Sequence, residues 1–206
     1  MTAVTLETDP TVRIVPASQA RREDLDAIFD APGDQRSCRC QWTRLASAEY
    51  RTMTAAARAE ALAEQAGCDR GGDAASSGLI AFVDGEPAGW VAVEPRTVYR
   101  RFRTARIPWL GRDEDKDDDG VWVVSCFVVR RGFRGRGLMA VLAAAAVAHS
   151  AQGGARAVEG YPVVLDPAKG TYPGELYVGT VGAFEAAGMT EVAAPSARRR
   201  VMRIQL

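Results

Sequence analysis

Lysine and histidine are nearly missing from this chain. Of its 26 basic residues only Lys116 and Lys169 are lysines, and histidine occurs once, as His149. Cys38 and Cys40 form a C-x-C, but a zinc site needs more ligands than that. With a single histidine buried in an alanine-rich stretch, no metal is expected, and His149 reads as a partly buried helix residue. An excess of either charge is missing too: 26 basic residues face 26 acidic ones, for a net charge of +0. No global field then draws the chain to nucleic acid or to an anionic membrane, and neither is an expected partner. Long apolar runs are absent. The longest, about residues 137–148, falls far short of the roughly 20 residues a membrane span needs. The start, "MTAVTLETDP", has no charged-then-apolar signal pattern. These absences lead to the expectation of a soluble, cytoplasmic protein whose four cysteines, Cys38, Cys40, Cys68 and Cys126, are free thiols. The bias to arginine and alanine fits a genome's base composition and carries no functional reading.

What is present is ordinary globular material. A chain of 206 residues with 47% hydrophobic and 25% charged content suits one medium domain with a sizeable core. Residues 1–10 read as a loose tail and residues 11–206 as a single domain, with no internal repeat and no linker. "TVRIVPA" alternates as a strand, and Ser18 is placed to cap a helix carrying Leu25, Ile28 and Phe29. "APGDQRSCRCQW" reads as a loop. A helix from Ser47 to about Ala66 follows, closed by Gly67. "LIAFV", "DGEP" and "AGWVAV" form a hairpin. Residues 95–120 are irregular, and "DEDKDDDG" within them reads as a solvated, mobile loop without a catalytic role. "VWVVSCFVV" lacks alternation and is expected to be a strand covered on both faces. A helix over about residues 135–150, the short strand "ARAVEG", a loop "YPVVLDPAKGTYPG", a helix "ELYVGTVGAFEAAGM" and a last strand "RRRVMRIQL" complete a mixed α/β domain.

The informative stretch is "RRGFRGRGLM", residues 130–139, between the apolar strand and the alanine-rich helix. A helix N-terminus exposes unpaired N–H groups and about half a positive charge. Glycines ahead of it admit a bulky anion to the backbone, and arginines add fixed charge. Such a junction is a phosphate or pyrophosphate cradle; otherwise it is a solvated basic turn. Gly132 and Gly137 have P-loop spacing, but Leu138 and Met139 stand where Lys and Ser/Thr are required, which excludes a nucleoside triphosphatase. "GRGLMA" also fits the dinucleotide fingerprint, with Glu159 at about the distance of a ribose-binding acid. Against that reading, the preceding chain is a hairpin, and too little chain follows for further parallel crossovers.

"FVVRRGFRGRGLMAVL" resembles the acetyl-CoA-binding segment of the GNAT superfamily of N-acyltransferases, a strand followed by Gln/Arg-x-x-Gly-x-Gly/Ala at the head of a helix. Arg134, Gly135, Arg136, Gly137 and Leu138 match; Met139 departs, standing where the family has glycine or alanine. The order of elements from Thr11 to Leu206 fits, and "FEAAGM" is similar to the family's late helix-end signature. The resemblance implies a mixed central sheet, flanked by helices and splayed open at the glycine-loop strand. Coenzyme A would enter the splay, its pantetheine arm along Phe127, Val128 and Val129 and its pyrophosphate on the amides of Gly135 to Ala140. The implied activity is transfer of an acetyl or short acyl group to a primary amine of a small molecule or peptide by direct attack. The alternatives are a non-catalytic acyl-CoA-binding module and, less favoured, a dinucleotide-dependent oxidoreductase.

The resemblance also suggests residue roles. In the superfamily the region of "CRCQW" lines the acceptor pocket, so Cys38, Cys40 and Trp42 form either an acceptor wall or ordinary core. Trp109 is a further candidate for the acceptor side. The family's thiolate-protonating tyrosine is replaced by Phe184, which leaves Tyr177, two helical turns earlier, as the candidate acid. Freeing the lone pair of an alkylamine of pKa near 10.4 at pH 7 costs about 4–5 kcal/mol, so a base is useful. The apolar strand carries no carboxylate. Glu159, ending the next strand, is the candidate base, with a surface strand-end position as its plainer reading. Cys126 lacks a histidine partner and is not expected to act as a nucleophile. Oligomeric state stays open, with pairing of two copies through the C-terminal strand the arrangement suspected.

Overall fold

The computed structural model describes residues 11–71, 76–166 and 173–206, apart from the side chains of Asp34 and Pro173. The tail at residues 1–10 and the middle of the "YPVVLDPAKGTYPG" loop lie outside the described residues. One seven-stranded sheet organises the rest. Its strands are β1 (Val12–Pro16), β2 (Gly78–Val83), β3 (Glu86–Pro95), β4 (Val121–Val129), β5 (Ala157–Gly160), β6 (Thr190–Ser196) and β7 (Arg199–Gln205), in the spatial order β1-β2-β3-β4-β5-β7-β6. Only β4 and β5 are parallel. The β2–β3 hairpin turns on Asp84 and Gly85, both at positive φ, the backbone a tight hairpin of this kind requires. β6 was not expected. It pairs irregularly with β7, and its "TEVAAPS" is largely exposed, so it carries no apolar periodicity to read.

Helices cover both faces. On one lie α1 (Arg22–Phe29), α2 (Asp34–Cys38), α3 (Gln41–Arg44), α4 (Ser47–Thr52) and α5 (Ala55–Ala66). Leu25, Ile28 and Phe29 of α1 and Leu62 and Ala66 of α5 bury against Ile80, Trp90, Ala92 and Val128. On the other lie α6 (Leu138–Gln152) and α7 (Val181–Ala186), whose Leu138, Leu142, Ala143, Ala146 and Phe184 pack on Leu79, Val91, Val124 and Phe127. Ser18 does not cap α1. It is buried in a 3-10 turn, and Asp24 closes the helix start by accepting the Arg21 N–H at 3.1 Å. "APGDQRSCRCQW" is not a plain loop but holds α2 and the first half of α3, joined through Arg39 and Cys40 in the left-handed conformation. The helix from Ser47 is broken at Met53, and Thr54 caps α5 by accepting the Ala57 N–H. Gly67 ends α5 at φ 69°, as expected.

Two features of this scaffold position the site. The first is a bulge in β4. Ala92 pairs with Cys126 and Val93 with Val124, so Ser125 is an extra residue with no partner across the ladder. The bulge shifts the phase of the strand: Val124 and Phe127 both face α6, while Cys126 and Val128 face α1. The second is the end of the parallel pairing. β5 follows β4 only from Val121 to Val124, and beyond Gly160 the chain parts from β4 while Val163 still bridges to Arg199 of β7. The far half of β4 therefore has an open edge. Phe184 wedges behind it, its ring 5.7 Å from that of Phe127.

Candidate active site

A cleft of about 390 Å³ opens at the exposed edge of β4. Phe127 and Val129 form its wall, Gly135, Gly137 and Met139 its glycine-loop side, and Tyr177, Thr180 and Ala183 its far bank. Gly137 caps α6 at φ 72°, and Gly135 stands at φ 75°. At both positions an L side chain would be strained, and a Cβ would point into open space. Among the described residues, the N–H groups from Gly135 to Met139 donate to no backbone or side-chain acceptor, and the first helical return bonds are those of Ala140 and Val141 to Gly137. Four of these five residues, all but Arg136, line the cleft, and no carboxylate of the described residues does. Arg134 fixes the loop against the strand by donating through Nε to the Val129 carbonyl at 2.9 Å. This is a cradle suited to a diphosphate on a long arm, and the residues present fit coenzyme A.

The sequence-derived candidates are largely brought together here: Phe127, Val129, Arg134, Gly135, Gly137, Leu138, Met139 and Ala140 all line this cleft. Val128 does not. The β4 pleat turns its side chain to the opposite face. Arg136 lies outside the lining, with its guanidinium over the Phe133 ring.

A second cavity, about 260 Å³, lies on the α1 side of β4. Cys38, Cys40 and Trp42 line it, as do Phe29, Cys126 and Val128. Three thiols therefore meet in one space from α2, α3's N-terminus and β4. Cys126 lies beside Cys40, and that contact together with burial pushes its thiol well above the ordinary range. Burial also raises Cys38. A protonated, enclosed thiol is a poor nucleophile, in keeping with the expectation for Cys126. Trp42 closes the mouth, half exposed, with Arg101 stacked 3.7 Å over its ring and Tyr50 against its edge.

Tyr177 lines both cavities. It reaches this position by a route different from the one expected. The anticipated single helix is broken at Gly179 (φ 81°) into a 3-10 segment, Pro173–Val178, and α7. Tyr177 therefore does not share a helical face with Phe184. Its hydroxyl donates to Gln35 Oε1 across 142 residues of sequence. Phe29, Gln35, Thr43, Ser125 and Val178 in the second cavity, and Leu176, Thr180 and Gly182 in the cleft, were not singled out from sequence. They come from separate segments and share no motif. The one readable trace was the broken alternation around Ser125.

Two candidates stand elsewhere. Glu159 lines neither cavity and is 0% exposed. Arg112 clasps both of its oxygens, Arg203 donates to Oε1 at 2.8 Å, Arg96 lies 3.6 Å from Oε2, and Tyr161 OH donates to Oε2 at 2.8 Å. A carboxylate so surrounded has no free lone pair facing an acceptor, and the assignment of Glu159 as base is withdrawn. Trp109 also lies outside both linings. Its ring packs under Arg96 and its Nε1 donates to the Phe102 carbonyl at 2.6 Å. The acidic run is not simply solvated: Glu114 joins Arg96, Arg112 and Arg203, Asp117 pairs with Arg103, and Asp118 with Arg156.

Comparison with curated proteins found no match. Among solved structures, the yncA protein of Salmonella typhimurium, determined with its cofactor acetyl-CoA, shares the fold with a TM-score of 0.51 at 14% identity, over 97% of this chain and 95% of that one. A GNAT-family structure from Desulfovibrio desulfuricans gives 0.50 at 12% identity, over 95% and 99%. Residues 41–168 match the family model described as "Acetyltransferase (GNAT) family". That stretch spans β4, the glycine cradle and the strand beyond it, and on this match the chain belongs to the GNAT family of acetyltransferases.

Proposed function

We propose that this acetyltransferase moves an acetyl group from acetyl-CoA to the primary amine of a small molecule or peptide by direct attack. The observation that carries the reading is the arrangement of two cavities on opposite faces of β4's open half, meeting at Tyr177. Acetyl-CoA supplies an activated thioester; the chain supplies placement. The amides of Gly135 to Met139 hold the diphosphate, and the free edge at Phe127 to Val129 receives the pantetheine amides. This threads the thioester toward the junction while the amine enters from the Cys40–Trp42 side. There the C–N bond forms and the C–S bond breaks; the amine nitrogen loses a proton and the departing thiolate gains one. Tyr177 is the hydroxyl placed to give that proton, with Gln35 holding its orientation. A thiolate of pKa near 8.5 is also a tolerable leaving group, so Tyr177→Phe is expected to slow turnover by roughly tenfold rather than abolish it. Calorimetry with coenzyme A, acetyl-CoA and NAD(P), followed by thiol release with amines, tests the reading. Binding of NAD(P) with none of coenzyme A would overturn it.

A further inference from the structure

The acceptor cavity has a composition that selects among amines. Its volume, about 260 Å³, lies below the range of about 300–1,000 Å³ usual for drug-sized ligands. Its walls are Phe29, Cys40, Trp42, Cys126 and Val128, and among the described residues no carboxylate lines it. Two guanidiniums flank it. Arg101 stacks on Trp42 at the mouth, donating to the Trp42 carbonyl and to Ser47 Oγ. Arg44 packs behind, over the Tyr99 ring, and its ion pair with Glu94 occupies that carboxylate. An acceptor with two or more positive charges would leave at least one of them unpaired in this space, with the Arg101 guanidinium at its mouth.

The polar lining narrows the choice further. Gln35 is engaged at both ends, donating to the Ala31 carbonyl at 2.7 Å and accepting from Tyr177. Thr43 Oγ1 turns back to the Cys40 carbonyl. Ser125 differs. It is the bulged residue of β4, its side chain is 4% exposed, and Oγ has no hydrogen-bond partner although it faces the cavity. The buried Tyr99 hydroxyl lies next to it and interacts with it, without a well-formed hydrogen bond on either group, so the serine oxygen still has a lone pair to offer a ligand. Buried hydroxyls are rarely left unpaired without a reason, since each such group costs about 1–3 kcal/mol.

Resting on the acyl-transfer reading above, we infer that the acceptor is a compact apolar monoamine, taken up as the free base and received at nitrogen by Ser125 Oγ. The apolar walls and the flanking cations disfavour the ammonium form, so the cavity itself supplies the nucleophilic species that a carboxylate base would otherwise generate. In the neutral amine one N–H donates to Ser125 Oγ. The lone pair is then free to point across β4 toward the thioester.

A thiol-release assay on the full chain with 2-phenylethylamine, spermidine, kanamycin and a lysine-containing peptide tests this. The expected kcat/KM for 2-phenylethylamine exceeds that for each polycation by at least ~100-fold, because a buried unpaired charge is heavily penalised. Ser125→Ala is expected to lower kcat/KM for 2-phenylethylamine about tenfold, chiefly through KM. Its melting temperature and acetyl-CoA affinity change little, since Oγ makes no well-formed hydrogen bond in the protein alone. Robust turnover of spermidine or kanamycin with 2-phenylethylamine idle would overturn the inference and leave acyl transfer standing. Parent-like kinetics in Ser125→Ala would remove Ser125 from the site. Silence across the whole panel would instead overturn the acyl-transfer reading on which the inference rests.

Discussion

Gly137 and Gly135 shape the proposed cofactor site through what they lack. Both sit at positive φ on the lip of the cleft, and beyond each missing Cβ there is open space. Replacing Gly137 by Trp puts an indole in front of the amide row and adds left-handed strain of about 1–2 kcal/mol. Loss of two charge-assisted bonds, each about 1.5–3 kcal/mol, corresponds to at least ~100-fold weaker acetyl-CoA binding. Calorimetry reads this directly, with circular dichroism confirming that the fold persists; unchanged affinity would remove the loop from the site. Glu159 gives the opposite expectation. Gln at this position leaves Arg96, Arg112 and Arg203 facing a neutral amide, and breaking a buried ion cluster costs about 3–5 kcal/mol. Glu159→Gln is therefore expected to lower the melting temperature sharply, while the protein that remains folded keeps the parent's pH–rate profile. A lost limb in that profile would restore Glu159 as a base.

At the scale of elements, the splay between β4 and β5 is held by an aromatic wedge. Phe184 of α7 lies against Phe127, and the space for both comes from Gly160 and Gly179. A Cβ on Gly160 would approach the Phe184 ring to 2.4 Å; one on Gly179 would meet Phe184 at 2.7 Å and Phe127 at 2.8 Å, at a φ of 81°. Gly179→Ala combines overpacking with strain, each worth about 1–3 kcal/mol. Its melting point is expected to fall well below the parent's, and its acetyl-CoA affinity to fall with it because Phe127 and Tyr177 shift together. If chemical denaturation shows no loss of stability, the wedge does not set the splay. Phe184 is thus a packing element, 0% exposed.

Over the whole molecule, arginine–carboxylate pairs tie the segment between β3 and β4 to the far side of the sheet. Arg96 and Arg112 from that segment and Arg203 from β7 converge on Glu114 and Glu159. Burial alone would raise the Glu114 carboxyl, but Arg112, Arg203 and Arg96 outweigh it and hold it below its ordinary value. A carboxyl depressed in the folded state contributes stability that is fully present above its unfolded value near 4.3 and is lost as pH falls through the lower folded value. Asp118, lowered chiefly by its hydrogen bonds from Arg156, acts in the same direction at the segment's end. Thermal melts from pH 7 to pH 3 should show a steep acid limb below about pH 4. Glu114→Gln should flatten that limb and lower stability at neutral pH; an unchanged limb would show that the segment is not held by these charges.

The sequence by itself determined the parts whose causes are local. The strand–glycine–helix junction at residues 130–139 was legible because backbone donors at a helix start depend only on the residues that form the start. The β2–β3 hairpin, the Gly67 stop and the apolar face of α1 were legible for the same reason: turn chemistry and periodicity act within a few residues. Tertiary structure alone decided which side chains share a cavity. Tyr177 reached the junction through a break at Gly179 and a bond to Gln35, neither of which has a periodic signature. Ser125 became an unpaired group because β3 pairs around it, a fact of register between strands and not of either strand. Glu159 looked available at a strand end, since nothing in its neighbourhood of sequence announces Arg96, Arg112 and Arg203 closing over it. Long-range pairing of charges and the register of strands are set by how segments distant in the chain pack, and a linear pattern carries only the pieces, not their meeting.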